Sequence, residues 1–186
     1  MTQDLKHTDA KTHNLKLATG SIAKMVVEPG EVFSFWKAVG PATKKRGYVS
    51  SRSLLDGEIR ESIGGGLCQL AGMVYYGALH LPTQIIERYP HSLDIYTPET
   101  RFTPLGSDAT VAYGYKDLKV KNTSDQPLAF SFEISKDKIT IHVHSDRPME
   151  AHDVSFSPEE AATNRVAVST WVNGEKVAHS DYGLPK

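Results

Sequence analysis

Cys68 is the only cysteine in the chain, so no intrachain disulfide framework braces the fold, and the cysteine count alone points to no redox compartment. No stretch approaches the ~18 consecutive apolar residues of a membrane span. The N-terminal MTQDLKHTDAKTHNLK lacks the apolar run of a secretory leader, so the sequence as written reads as cytoplasmic, or as extracytoplasmic once an export signal has been removed. An excess of either charge is also missing. Lys and Arg number 21 against 22 Asp and Glu, a formal net charge of -1, which leaves no overall field to gather nucleic acid or an anionic membrane. Lys44-Lys45-Arg46 is the nearest thing to a basic cluster, and it reads as a solvated connector.

What is present suffices for one ordinary core: 186 residues, 39% hydrophobic and 23% charged. Leu15, Ala18, Ile22 and Met25 recur at helical spacing and predict a helix within residues 4–25, weakened at Gly20. EVFSFW alternates as a strand would, and Asp56-Gly57 between apolar pairs predicts a hairpin. Leu67, Leu70, Ala71, Val74 and Ala78 form the stripe of a second helix, stopped by Pro82 shortly after Leu81. Short strands are then expected in QIIERY, SLDIY, TVAYGY, LAFSFEI and ITIHVHS, with RVAVSTW and EKVAHS paired about Val172-Asn173-Gly174. Helices early and strands late predict an α+β fold, a mainly antiparallel sheet packed with an N-terminal helix and a central Cys-bearing helix. Residues 1–147 read as the main domain, and 148–186 as a polar linker with a C-terminal β-hairpin extension.

The stretch SIGGGLCQLAGMVYYGALH (62–80) carries the chemistry. Three glycines run directly into a helix, and backbone N–H groups at a helix start lack internal partners and carry partial positive charge. Thiolates are stabilised in such a first turn, and the same N–H groups can hold an oxyanion where no side chain blocks the approach. Cys68 lies roughly 100° from the centre of the apolar stripe, on a flank with Gly72, Tyr75 and Leu79. A catalytic thiol needs a base. His80 sits about 18 Å away along the helix, and His7 and His13 lie in a polar segment, which leaves His91, placed by Pro90 at an expected strand entry. Asp108, before TVAYGY, is the preferred third group to fix the imidazole tautomer, ahead of Asp94 and Asp117.

Two further features invite chemistry. His142 and His144 share one face of ITIHVHS and suggest a metal pair that Asp146, His152 or Asp153 would complete, yet the same pattern is the polar face of an amphipathic strand. Tyr89, Tyr96, Tyr113 and Tyr115 can line a groove for an extended peptide or glycan, although core or sheet-face positions account for them equally simply.

Taken together, PGEVFSFWKAVGP (29–41), Arg46-Gly47-Tyr48, IGGGLCQL (63–70), ERYPHS (87–92) and DATVAYGYKDLKVKN (108–122) resemble the blocks of the VanW-like family, in its order, over about Asn14 to Ser145. Some members are secreted L,D-transpeptidases that crosslink peptidoglycan stem peptides through the family cysteine. The resemblance implies Cys68 and His91 at the active-site positions, with Gln69 and Asp108 as neighbours. It is broken where many relatives follow Cys-Gln with a Ser/Thr-rich run and this chain has Leu70-Ala71-Gly72. The resulting expectation is a cysteine-dependent acyl transferase acting on a peptidoglycan stem peptide or precursor, with no cofactor and no metal. Its catalytic candidates are Cys68, His91 and Asp108, and its oxyanion or substrate contacts Gly65, Gly66, Leu67, Gln69, Ser92 and Tyr113. The rival is a non-catalytic module that binds a wall peptide, a glycan or a partner protein through the same groove.

Overall fold

The structure, a computed structural model, describes residues 1–4, 9–55, 58–94, 101, 103–162 and 164–184. It is an α+β fold of antiparallel sheets around two helices. The N-terminal helix α1 (Asp9–Ile22) buries Leu15, Ala18 and Ile22, while Met25 lies beyond its end. Of the expected helix, Asp4 instead closes strand β1 (Thr2–Asp4), and residues 5–8 lie outside the described residues. Strands β2 (Val26–Val27) and β3 (Val32–Ser34) follow. EVFSFW does not continue as a strand: Ser34 accepts the Lys37 N–H and caps a short helix, α2 (Phe35–Val39).

The expected hairpin forms from β4 (Ser50–Leu55) and β5 (Glu58–Ile63), while its Asp56-Gly57 tip lies outside the described residues. Helix α3 (Leu67–Leu79) follows, ending just short of the expected stop. The predicted stripe is buried, and so are Met73 and Tyr75 on other faces, because α3 packs against α1 and against both β6 (Thr83–Glu87) and β9 (Lys138–His144). With β7 (Lys119–Asn122) and β8 (Leu128–Ile134), the main body holds two sheets, ordered β1-β9-β8-β2 and β3-β7-β6. The Phe33 and Phe130 rings, 5.5 Å apart, join them.

The segment read as a polar linker holds a nine-residue strand, β10 (Val154–Ala162). Val154 and Phe156 alternate there with exposed Ser155 and Ser157, a period-two signal thinned by polar residues and Pro158. It pairs with β11 (Arg165–Val172), which pairs in turn with β12 (Glu175–Gly183), so the C-terminal extension is a three-stranded meander rather than a linked hairpin. Asn173 and Gly174, both at positive φ, make the predicted tight turn.

TVAYGY is not a strand. Between Glu87 and Lys119 the described chain carries no regular strand or helix, only isolated bridges at Leu93 and at Ala112–Lys116, where a tight turn lifts Tyr113 and Tyr115 outward. Of SLDIY, Ile95 and Tyr96 lie outside the described residues. No helix among the described residues is long and apolar enough to cross a membrane.

Candidate active site

The glycine loop is set by a buried amide. Asn14, fully buried in α1, donates to the carbonyls of Val49 and Gly65 and accepts the Val49 N–H. Gly66 then takes a left-handed conformation (φ 103°) and caps α3 without a side chain, which only glycine does freely. The Leu67 N–H turns back to the Gly64 carbonyl at 3.4 Å. The Cys68 N–H has no acceptor among the described residues. The Cys68 N–H is therefore a free donor at this helix start, while the Leu67 N–H is directed into the turn.

One flank of α3 meets the irregular 88–118 segment at three successive levels. At the first, Cys68 Sγ donates to the Val111 carbonyl at 3.7 Å, and the His91 imidazole lies near enough for the thiol to act on its pKa. At the second, a Cβ on Gly72 would stand 3.4 Å from Ala109 N and 3.5 Å from Asp108 Cα. The missing side chain thus admits the Asp108 backbone. At the third, the Arg88 guanidinium stacks 4.7 Å from the Tyr75 ring centre.

Asp108 gathers the rest. Its Oδ2 accepts from His91 Nδ1 at 2.5 Å and from the His91 backbone N–H at 2.8 Å. Its Oδ1 accepts from Arg88 Nη2 at 2.9 Å and from the Tyr182 hydroxyl at 2.6 Å. Arg88, with 5% of its side chain exposed, also donates through Nε to the Asp108 carbonyl (2.7 Å), through Nη2 to the Gly106 carbonyl (3.0 Å), and through Nη1 to Ser180 Oγ. With Nδ1 committed to Asp108, Nε2 is the imidazole nitrogen left to exchange a proton with the thiol.

The charges follow from these contacts. Burial works against an ionised Asp108. The hydrogen bond from His91, the Arg88 and His91 charges and the Tyr182 hydroxyl outweigh it and hold the carboxyl well below the usual carboxylate range. Burial likewise opposes the imidazolium at His91, but hydrogen bonds to Asp108 and Cys68, and their negative charge, raise its pKa to about 9. Burial and the Asp108 charge push the Tyr182 phenol upward, so it remains a donor.

These shifts have a consequence for stability. Because the His91 pKa is raised on folding, its contribution is complete below about pH 6.5 and is lost as pH rises through about 9. Asp108, lowered on folding, contributes above about pH 4 and loses that contribution only in stronger acid. The melting temperature is expected to fall by roughly 4–8 °C between pH 6.5 and 9, on the order of 2 kcal/mol for a chain of this size. His91→Gln should flatten that slope. A wild-type melting temperature constant across the window contradicts the shift.

The other candidates are placed as follows. The Gln69 side chain donates to Gln3 Oε1 at 3.1 Å, toward β1. Ser92 is exposed, and its carbonyl accepts the Gly183 N–H. Asp94 pairs with Arg101, and Asp117 accepts from Ser34 Oγ and the Trp36 and Leu118 N–H groups, so neither meets His91. Tyr89, Tyr113 and Tyr115 are 36%, 54% and 87% exposed, which makes them surface residues rather than core. Tyr113 stands edge-on to Trp36 at 5.5 Å, and Tyr96 lies outside the described residues. His142 lies 3.4 Å from Glu133 and His144 bonds Ser131. No group of three or more His, Cys, Asp or Glu suited to a metal occurs among the described residues. A cavity of about 580 Å³, lined by residues that include Pro82, Asp125, Glu150 and His152, lies at the far end of α3 from the thiol.

Sequence reasoning missed Arg88, Tyr182 and Ser180. Arg88 sits inside ERYPHS, where a charged residue in a strand-like run gave no hint that it points inward. Tyr182 and Ser180 carry no local signal.

Residues 10–144 match the family model described as "VanW like protein". Over 148 residues the chain is 32% identical to the vancomycin B-type resistance protein VanW of Enterococcus faecalis, a match covering 80% of this chain and 54% of that protein. Over 119 residues it is 35% identical to the uncharacterized protein YoaR of Bacillus subtilis, covering 64% and 38% respectively. The chain thus spans about half, or less, of the length of these relatives. No solved structure matches it significantly.

Proposed function

Starting from the fact that the chain belongs to the VanW-like family, we propose that it is a cysteine acyl transferase acting on a peptidoglycan stem peptide. The observation that carries the reading is the succession Cys68–His91–Asp108: a thiol at a helix start, an imidazole near it whose pKa the thiol helps to raise, and a carboxylate that accepts from the imidazole Nδ1. The vancomycin-resistance name of the Enterococcus relative supports a substrate in the cell wall.

In this reading the Cys68 sulfur, its proton passed to His91, attacks a peptide carbonyl carbon. The resulting oxyanion takes the hydrogen bond of the unclaimed Cys68 N–H. The carbon–nitrogen bond breaks, and the leaving amine departs with the proton from His91 Nε2, which leaves a thioester on Cys68. An acceptor amine then attacks the thioester, gives its proton to His91 and releases the sulfur; water in its place yields hydrolysis. Asp108 is not consumed: it fixes the tautomer and balances the imidazolium. The exposed tyrosines of the segment whose Val111 carbonyl meets the thiol offer a surface for the donor or acceptor strand, and a binding module would use the same surface.

The test is intact-protein mass spectrometry after incubation with a tetrapeptide muropeptide. A covalent increment equal to the acyl part, mapped to Cys68 and absent in His91→Ala, is the expected result. Repeated failure to find any adduct or product, with a wild-type thiol that alkylates normally, leaves the binding-module reading in its place.

A further inference from the structure

Strand β12 reaches the site in two ways. Its end is laced by backbone hydrogen bonds to the segment that follows His91: the Gly183 N–H donates to the Ser92 carbonyl (2.9 Å), the Asp94 N–H donates to the Gly183 carbonyl (2.9 Å), and Leu93 bridges Gly183 in parallel. One residue earlier, Tyr182, only 1% exposed, places its hydroxyl 2.6 Å from Asp108 Oδ1 and 3.2 Å from Arg88 Nη2. One strand thus fixes the backbone of the imidazole and the carboxylate that orients the imidazole. All of these C-terminal contacts come from beyond the family match, which ends at residue 144.

We propose that the C-terminal meander is a positioning element of the active site, and that Tyr182 is its positioning residue: its hydroxyl holds Asp108 turned so that Oδ2 faces His91 Nδ1. The argument rests on reading Cys68–His91–Asp108 as the site. A core tyrosine serving only to fill space has no need to spend its hydroxyl on a carboxylate. Here the phenol supplies one of four hydrogen bonds to the Asp108 carboxylate, and among the described residues no other side chain bonds Oδ1 apart from Arg88. The charged or titratable groups facing Asp108 are Arg88, His91 and Tyr182, with Tyr75 beneath Arg88 and Cys68 beyond His91. A donor to a carboxylate favours its charged form, so removing the hydroxyl makes Asp108 easier to protonate and the His91–Asp108 bond easier to lose in acid.

The experiment follows the downfield proton resonance of His91 Nδ1–H against pH, with far-UV circular dichroism recorded on the same samples. In the wild type the resonance should persist as far into acid as the fold does. In Tyr182→Phe it should vanish while the protein is still folded, at least about one pH unit earlier. Val168→Ala, a buried change in the neighbouring strand that does not touch Asp108, loosens the same sheet and should leave the midpoint where it was. If Tyr182→Phe does not fold, 3-fluorotyrosine placed at position 182, a stronger donor, should shift the His91 Nδ1–H resonance itself, because both protons are held by the one Asp108 carboxylate. A resonance with the same acid limit in wild type and Tyr182→Phe, an equal shift in Val168→Ala, or no effect of the fluorinated residue overturns the proposal. None of these readouts needs turnover, so absence of acyl transfer overturns the function without touching the positioning role, and the reverse also holds.

Discussion

Cys68→Ser is expected to retain the fold and to lose acyl transfer by at least ~10³-fold. The sulfur is only half-buried, and its one backbone contact, to the Val111 carbonyl, is one a hydroxyl can also make. The melting temperature should therefore move by no more than about 2 °C, within the range of a conservative change off the core stripe. The chemistry does not survive the exchange, because a serine hydroxyl gives up its proton to His91 far less readily than a thiol does. With the His91 pKa at about 9 the imidazole is protonated at neutral pH, so the site suits a nucleophile that ionises beside an imidazolium rather than one that waits for a neutral base. Product analysis by mass spectrometry and a thermal melt on the same preparation check both halves. A serine variant with wild-type turnover removes Cys68 from the mechanism.

The second large effect concerns Arg88. Arg88→Met should lower stability by about 3 kcal/mol, a fall of ~6–12 °C in melting temperature. The guanidinium is buried and serves the Asp108 side chain, the carbonyls of Asp108 and Gly106, and two hydroxyls of β12. Methionine fills much of its volume above Tyr75 but leaves those acceptors without their donor and the carboxylate without its nearest cation. Arg88→Lys should rescue little, because one ammonium cannot reproduce a planar fork that donates in three directions. Thermal denaturation of both variants is the measurement. A lysine variant as stable as wild type shows that charge alone is at work and that the fork geometry is incidental.

The sequence made the thiol and its helix easy to find, and the physical reason is locality. A glycine run, a helix start and an off-stripe cysteine all fall within a few residues, so short-range rules suffice. His91 and Asp108 were reachable by elimination and by the family blocks, although both lie in irregular chain where strands were expected. TVAYGY misled because Thr, Val and Tyr alternate as a strand does; in the fold the Thr110 N–H goes to the Tyr89 carbonyl and the next residues turn back on themselves. Ser34 ended a strand early because it is a helix cap, a choice that depends on Asp117 accepting its hydroxyl from across the sheet. Arg88, Tyr182 and Asn14 were invisible for a common reason. Each is a polar residue whose role is defined by partners far away in sequence, and periodicity records only which side of an element faces inward.

The long reach of those partnerships governs the order in which the molecule can be assembled. Tyr182 joins Asp108 across 74 residues and Arg88 across 94, and contacts so remote form late because the intervening chain must first surrender its freedom. On a ribosome, the helix, the imidazole segment and the carboxylate all emerge before β12 exists to tie them down. The nucleophile is thus made early and its companions are locked late, so the nascent chain carries a thiol whose acid–base partners are not yet fixed in place.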